Sequence, residues 1–150
     1  MLTQIDFMDV VRLAPLVAID LIVSDADGRI LVGRRRNRPA RDTWFVPGGR
    51  IHKNETLDCA FARIADAELG VANLTRSAAR LNGVFEHHYS DNFANQPDVS
   101  THYIVLAYAL SLSSTAPIGR PDQHSDYLWL SPAELLARAD VHDNTKAYFR

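Results

Sequence analysis

Apolar residues along the chain follow two rhythms, and the changes between them mark out the elements. Ile5, Met8 and Val11 recur at helical spacing, which predicts a short helix over 5–13 ended by Pro15. Two β-branched runs follow, 16–23 and 30–35, on either side of Asp25-Ala26-Asp27-Gly28, and they read as a hairpin. The stretch 43–49 is a short strand stopped by Pro47, Gly48 and Gly49. The rhythm then changes. Leu57, Ala60, Phe61 and Ile64 form one stripe at about 100° per residue, predicting a helix over 55–69 with Gly70 as its C-cap.

Strand patterns return at 81–90, 101–112 and 126–130, the first two separated by a polar loop over 91–100. Ser131, Pro132 and Glu134 then spell a capping box with proline at the first helical position, and the tail 141–150 reads as one more short helix. Several strands with few helices imply an α/β fold, a mixed sheet covered by helices.

Composition narrows this picture. A length of 150 residues fits one domain over 1–150, and an apolar share of 47% supports a real core. The net charge of -2 argues against bulk nucleic-acid binding. The lone Cys59 excludes an intrachain disulfide, in keeping with a reducing cytoplasm. Asp6, Asp9, Arg12, Pro15 and Asp20 break up the N-terminal apolar residues, so neither a targeting segment nor a membrane helix is expected.

The stretch 48–71 carries the strongest chemical signal. Gly48 and Gly49 let backbone approach a ligand closely. Glu68 falls on the same helical face as Leu57 and Ile64, so it should point inward, where a carboxylate needs a partner. A divalent cation is one such partner, and a nearby arginine is the simpler alternative. Asp20, in mid-strand within an apolar run, raises the same choice between a paired structural carboxylate and a functional one. Arg34, Arg35, Arg36, Arg38 and Arg41 make a dense basic cluster, and strand alternation sends Arg35 to the face opposite Arg34 and Arg36.

Gly49, Glu55, Arg63, Glu68 and Gly70, at these spacings, resemble the Nudix box of hydrolases acting on nucleoside diphosphates linked to another group. Ile64 and Ala67 stand where that pattern carries glutamates. With the stretches 33–50, 91–93, 101–103 and 122–127, the chain resembles the GDP-mannose mannosyl hydrolase branch of the superfamily. The resemblance implies a Nudix α/β/α sandwich and a Mg²⁺-dependent attack of water on sugar C1, with inversion, releasing GDP and free sugar. Fewer carboxylates imply fewer cations, one per subunit, for which Mn²⁺ could substitute. A homodimer is expected, through the N-terminal helix and edge strands.

The resemblance also distributes roles. Gly49, Glu68 and Gln123 match metal ligands, and His124 matches the general base, where a solvated loop histidine is the plain alternative. Arg35 and Arg50 match diphosphate-binding arginines. Asp20 is assigned to the sugar or diphosphate edge. His87 and Tyr103 match contacts to the leaving group, although either alone would more often be a hydrogen-bonded core residue. Arg63 either binds phosphate or orients Glu55 or Glu68. His88 should face away from the site, and His52, His102 and His142 read as surface or packing residues. Trp44 and Trp129 read as core. Two other outcomes stay open: a pyrophosphohydrolase giving GMP and sugar phosphate, and a nucleotide-sugar-binding module without catalysis.

Overall fold

The structure, a computed structural model, describes residues 2–113 and 124–150, without the side chains of residues 124 and 125. Helix α1 (Gln4–Leu13) starts at Thr3, whose side chain accepts from the Asp6 N–H. The strands are β1 (Leu16–Ser24), β2 (Ile30–Arg35), β3 (Trp44–Phe45), β4 (Gly48–Arg50), β5 (Arg80–Tyr89), β6 (Thr101–Ser111) and β7 (His124–Leu130). Between them run α2 (Leu57–Leu69), α3 (Pro132–Ala137) and α4 (Asp143–Lys146).

The strands form one mixed sheet in the order β3-β2-β1-β6-β5, with β4 also paired to β1 and β7 to β2. Strand β1 lies parallel to β6 along its whole length, from Leu16 opposite Tyr103 to Ser24 opposite Ser111. The expected hairpin forms only at its base. Strands β1 and β2 meet at Ser24 and Ile30 and then part, because β4 takes over the edge of β1, pairing Ala18 with Arg50 and Asp20 with Gly48. Strand β2 turns instead to β7 and β3. A cleft opens where the two strands separate.

Side-chain alternation along β1 divides the interior in two. Ile19, Leu21 and Val23 face α2 and pack with Phe61, Ile64 and Leu69. Ile22 faces the other layer with Val32, Trp44, Leu130, Leu135 and Val141. Each fully buried large apolar side chain contributes about 1.5–3 kcal/mol. A sheet with a helix layer on each face is the α/β/α sandwich anticipated above. Trp44 is buried and Trp129 is partly buried against the first cluster.

Two details of α2 differ from the sequence expectation. The helix begins at Leu57, after Thr56, which accepts from the Cys59 N–H, so Glu55 belongs to the preceding loop. Leu57 is 38% exposed and does not join the inward stripe, which consists of Ala60, Phe61, Ile64, Ala65, Glu68 and Leu69. Gly70 ends the helix at φ 70°, the left-handed conformation that glycine adopts without strain. The capping box at α3 forms as read, with Ser131 and Glu134 bonded reciprocally.

Candidate active site

Where β1 and β2 part, a cleft of about 280 Å³ opens, bounded by β4, α2 and the ends of β5 and β6. Asp20, Arg35, Gly49, Arg50, Arg63, Glu68, His87 and Tyr103 all line it. These residues come from β1, β2, β4, α2, β5 and β6. Gln123 lies outside the described residues. Of His124 only the backbone is described, at the start of β7 opposite Arg35, and its side chain lies outside them too.

Glu68 reaches the cleft from the buried face of α2 and is 5% exposed. Ile64 and Ala67 line the wall beside it. The peptide groups of Gly48 and Gly49 share this end. A side chain at Gly48 would run into the Asp20 carboxylate and sit 2.7 Å from the Ile19 carbonyl, so only glycine lets β4 lie this close to β1. A Cβ at Gly49 would press on Ile64 Cγ1 at 3.2 Å. One buried carboxylate beside backbone carbonyls is an all-oxygen donor set, which fits Mg²⁺.

Arg63 is committed to the loop before its own helix. Its Nε and Nη2 donate to the two oxygens of Glu55, each at 2.8 Å, and Nη2 also donates to the Arg50 carbonyl at 2.8 Å. Glu55 in turn accepts from the His52 N–H at 2.7 Å. This fork holds the Glu55 carboxyl down at about 2, against the opposing effect of burial. Of the two roles the sequence left open, the geometry favours positioning, with Glu55 rather than Glu68 as the partner.

The cleft lining also carries the cationic side chains of Arg35 and Arg50. Arg35 Nε is shielded from solvent and has no hydrogen-bond partner among the described residues, while its guanidinium lies 5.4 Å from the Phe45 ring centre. The Arg50 guanidinium sits 4.5 Å over Phe7 of α1. Two other arginines of the basic cluster pair with acids instead: Arg34 with Asp42 at 3.8 Å and Arg38 with Asp91 at 3.4 Å.

Asp20, His87 and Tyr148 form a chain of polar contacts along the floor. Tyr148 Oη donates to Asp20 Oδ2 at 2.5 Å and lies 3.2 Å from His87 Nε2. One hydroxyl carries one proton, so if Tyr148 donates to Asp20, His87 must donate from Nε2. Burial, and then the charges of His142 and His88, drives the His87 pKa down to about 4, so the ring is neutral at physiological pH. Burial raises the Asp20 carboxyl to about 6, opposed by the Tyr148 hydrogen bond and Arg35 and reinforced by Glu68.

Several lining residues escaped the sequence reading. His52, read as surface or packing, lines the cleft because the Glu55 loop folds it over. Asn37, Phe45 and Tyr89 line it as well. Tyr148 carries no local signal for its role, because its partner Asp20 is 128 positions away. His142 does pack, stacking on Phe45 at 4.6 Å and capping α4 through Asn144 N. His88 faces away from the cleft, stacked on His102 at 4.3 Å. Asn92 is fully buried and saturates its amide within the loop, with Gln96 O and Val99 O accepting and Ala94 N and Gln96 N donating.

The sandwich, the glycine-lined β4 and the carboxylate of α2 together define a Nudix hydrolase. The chain belongs to that family, since the NUDIX domain profile matches residues 14–150. Among individual proteins, it is 46% identical over 103 residues to the low-salt glycan biosynthesis protein Agl8 of Haloferax volcanii. That alignment covers 69% of this chain and 63% of the relative, so it spans less than two-thirds of the relative's length. The MutT protein of Methanosarcina mazei Go1 superposes with a TM-score of 0.71 at 18% identity, covering 90% of this chain and 91% of its own. A MutT NUDIX hydrolase from Burkholderia pseudomallei gives 0.69 at 26% identity, covering 90% and 95%. Among the described residues, no helix is long and apolar enough to cross a membrane.

Proposed function

We propose that the protein is a GDP-sugar glycosyl hydrolase that cleaves the bond between sugar C1 and the diphosphate oxygen. The observation that carries this reading is the make-up of the cleft lining. Its α2 wall offers one box carboxylate, Glu68, flanked by Ile64 and Ala67, and the lining also carries Arg35 and Arg50. Attack on phosphorus gains from several cations that activate water and spread phosphoryl charge. A wall with one box carboxylate is poor at gathering them. Attack on carbon needs a base away from the phosphates and a cationic cradle for the departing diphosphate, which suits this distribution. The name of the Haloferax volcanii relative places that protein in glycan biosynthesis, which accords with a sugar-bearing substrate.

In this reading His124 takes a proton from water as the water oxygen bonds to C1 from the face opposite the leaving group. The C1–O bond breaks with inversion, and its electron pair leaves on GDP. Arg35 and Arg50 bind the diphosphate and Tyr103 donates a hydrogen bond to it, while neutral His87 spends its single N–H on Tyr148 and braces the leaving-group side of the cleft. Asp20 is assigned to the sugar edge, where an ionised carboxylate would stabilise positive charge developing at the anomeric centre. Arg63, held by Glu55, positions the Arg50 backbone by donating to its carbonyl. Glu68, the Gly49 carbonyl and Gln123 would hold Mg²⁺, which when bound neutralises diphosphate charge and improves the leaving group. A cytoplasmic homodimer completes the proposal, and light scattering reports the oligomeric state.

Product analysis with GDP-mannose, GDP-glucose and GDP-fucose in Mg²⁺ tests the reading. GDP and free sugar of inverted configuration are expected, and ¹⁸O from labelled water should appear in the sugar. GMP with sugar phosphate would establish the pyrophosphohydrolase instead. Ligand binding without turnover of any of the three would leave only a binding module.

A further inference from the structure

On the outer face of the β5–β6 ribbon, turned away from the cleft, Glu86, His88 and His102 present one ligand atom each, all within 4.8 Å of one another. We infer that these three side chains form a second metal site, for a divalent transition ion such as Zn²⁺, separate from the Nudix centre.

The placement follows from strand geometry. Glu86 and His88 are two apart on β5 and share a face. His102 stands directly opposite His88 on β6. The neighbouring pair, His87 opposite Tyr103, points through the sheet into the cleft, so the two sites lie on opposite faces. His88 and His102 stack at 4.3 Å with 22° between their planes, and His88 Nε2 lies 3.7 Å from Glu86 Oε2.

Distances decide whether an ion fits. Three atoms no more than 4.8 Å apart always leave a point within about 2.8 Å of each, so Zn²⁺ bonds of about 2.0–2.2 Å require shifts below about 1 Å, together with rotation of the His88 ring out of its stack on His102 to aim both lone pairs at the ion. The side chains of Glu86 and His88 are 72% and 65% exposed and can make that adjustment. His102 is the anchor. It is partly buried, and its Nε2 is shielded from solvent with no hydrogen-bond partner among the described residues.

The plainer account is that polar residues guard an edge strand against pairing with another chain. It covers Glu86 and His88 on the edge strand β5. It does not cover His102, which lies on the interior strand β6 and withholds a ring nitrogen from water. Two imidazoles and one carboxylate select Zn²⁺, Cu²⁺ or Ni²⁺ over Mg²⁺, which prefers oxygen alone. An ion held there would tie β5 to β6 without entering the reaction.

Calorimetric titration of the full chain with ZnCl₂ under saturating Mg²⁺ tests the site. One Zn²⁺ per chain should bind, with affinity at least tenfold weaker in His88→Gln and in Glu86→Gln and unchanged in Glu68→Gln. Zn²⁺ should raise the melting temperature of the parent protein and not that of His88→Gln, while His88→Gln without Zn²⁺ melts normally and keeps its Mg²⁺-dependent turnover. Absence of Zn²⁺ binding, equal affinity in His88→Gln, or loss of binding only in Glu68→Gln would overturn the proposal.

Discussion

Tyr148 donates its hydroxyl hydrogen to Asp20 at 2.5 Å, joining the last helical turn of the chain to the middle of its first strand. The same hydroxyl meets His87, and the ring packs edge-on against Phe85 at 4.7 Å. Tyr148→Phe keeps the packing and removes the hydrogen bonds. A loss of about 1.5–3 kcal/mol in denaturant unfolding is expected, the usual range for a bond to a charged acceptor. In the proposed reaction kcat should fall more than KM rises. Unfolding midpoints and steady-state kinetics on the same preparation check both.

Asp20 gives the fold a pH dependence of known sign. Burial lifts its carboxyl from the ordinary 3.8 to about 6. Such a group favours the folded state fully below the unfolded value, and that contribution is lost as pH rises through 6. In Mg²⁺-free buffer, Asp20→Asn should therefore be more stable than the parent at pH 8, by up to about 3 kcal/mol, with the gain vanishing toward pH 4. Turnover at pH 8 in Mg²⁺ should nonetheless drop at least tenfold. Thermal melts across pH 4–8 show the slope.

Gly48 and Gly28 separate steric crowding from backbone strain. A methyl at Gly48 collides with Asp20 and the Ile19 carbonyl, whereas one at Gly28 meets nothing but must adopt φ 78°. Gly48→Ala should cost about 3 kcal/mol or more and abolish turnover by displacing Asp20. Gly28→Ala should cost about 1 kcal/mol and leave turnover intact. Urea unfolding and activity assays distinguish them.

Ile64→Glu restores the carboxylate that the Nudix pattern places there. Ile64 is 1% exposed, and a Cβ at position 49 would lie 3.2 Å from its Cγ1. Without metal, the added charge should destabilise the protein by at least about 2 kcal/mol. Mg²⁺ should recover part of that loss, more than it stabilises the parent. Melting curves with and without Mg²⁺ provide the measurement.

His124→Gln should lower turnover at least about 100-fold, the span of general-base catalysis. His88→Gln, on the far face of the sheet, should stay within about twofold, as exposed positions away from a site usually do. Equal and mild losses would remove His124 as the base.

Features visible in the sequence are those governed by near neighbours along the chain. The inward stripe of α2, the Gly70 cap, the Ser131–Glu134 box and the opposite facing of Arg35 and Arg34 all arise from spacings of one to four residues. Turn and strand periods fix those relations before the chain folds. Leu57 marks the boundary of that logic. Its spacing suits the stripe, but burial depends on what packs opposite, and Leu57 stays 38% exposed.

The sequence by itself thus determined the family's box, the sandwich and the face on which Glu68 lies. Tertiary structure alone decided that β1 pairs parallel with β6, that β2 leaves β1 after one pair and opens the cleft, that Arg63 grips Glu55, and that Tyr148 holds Asp20. The physical reason is sequence distance. Contacts across 128 positions leave no periodic trace, and which polar group a buried carboxylate finds is settled only when the chain brings the two together.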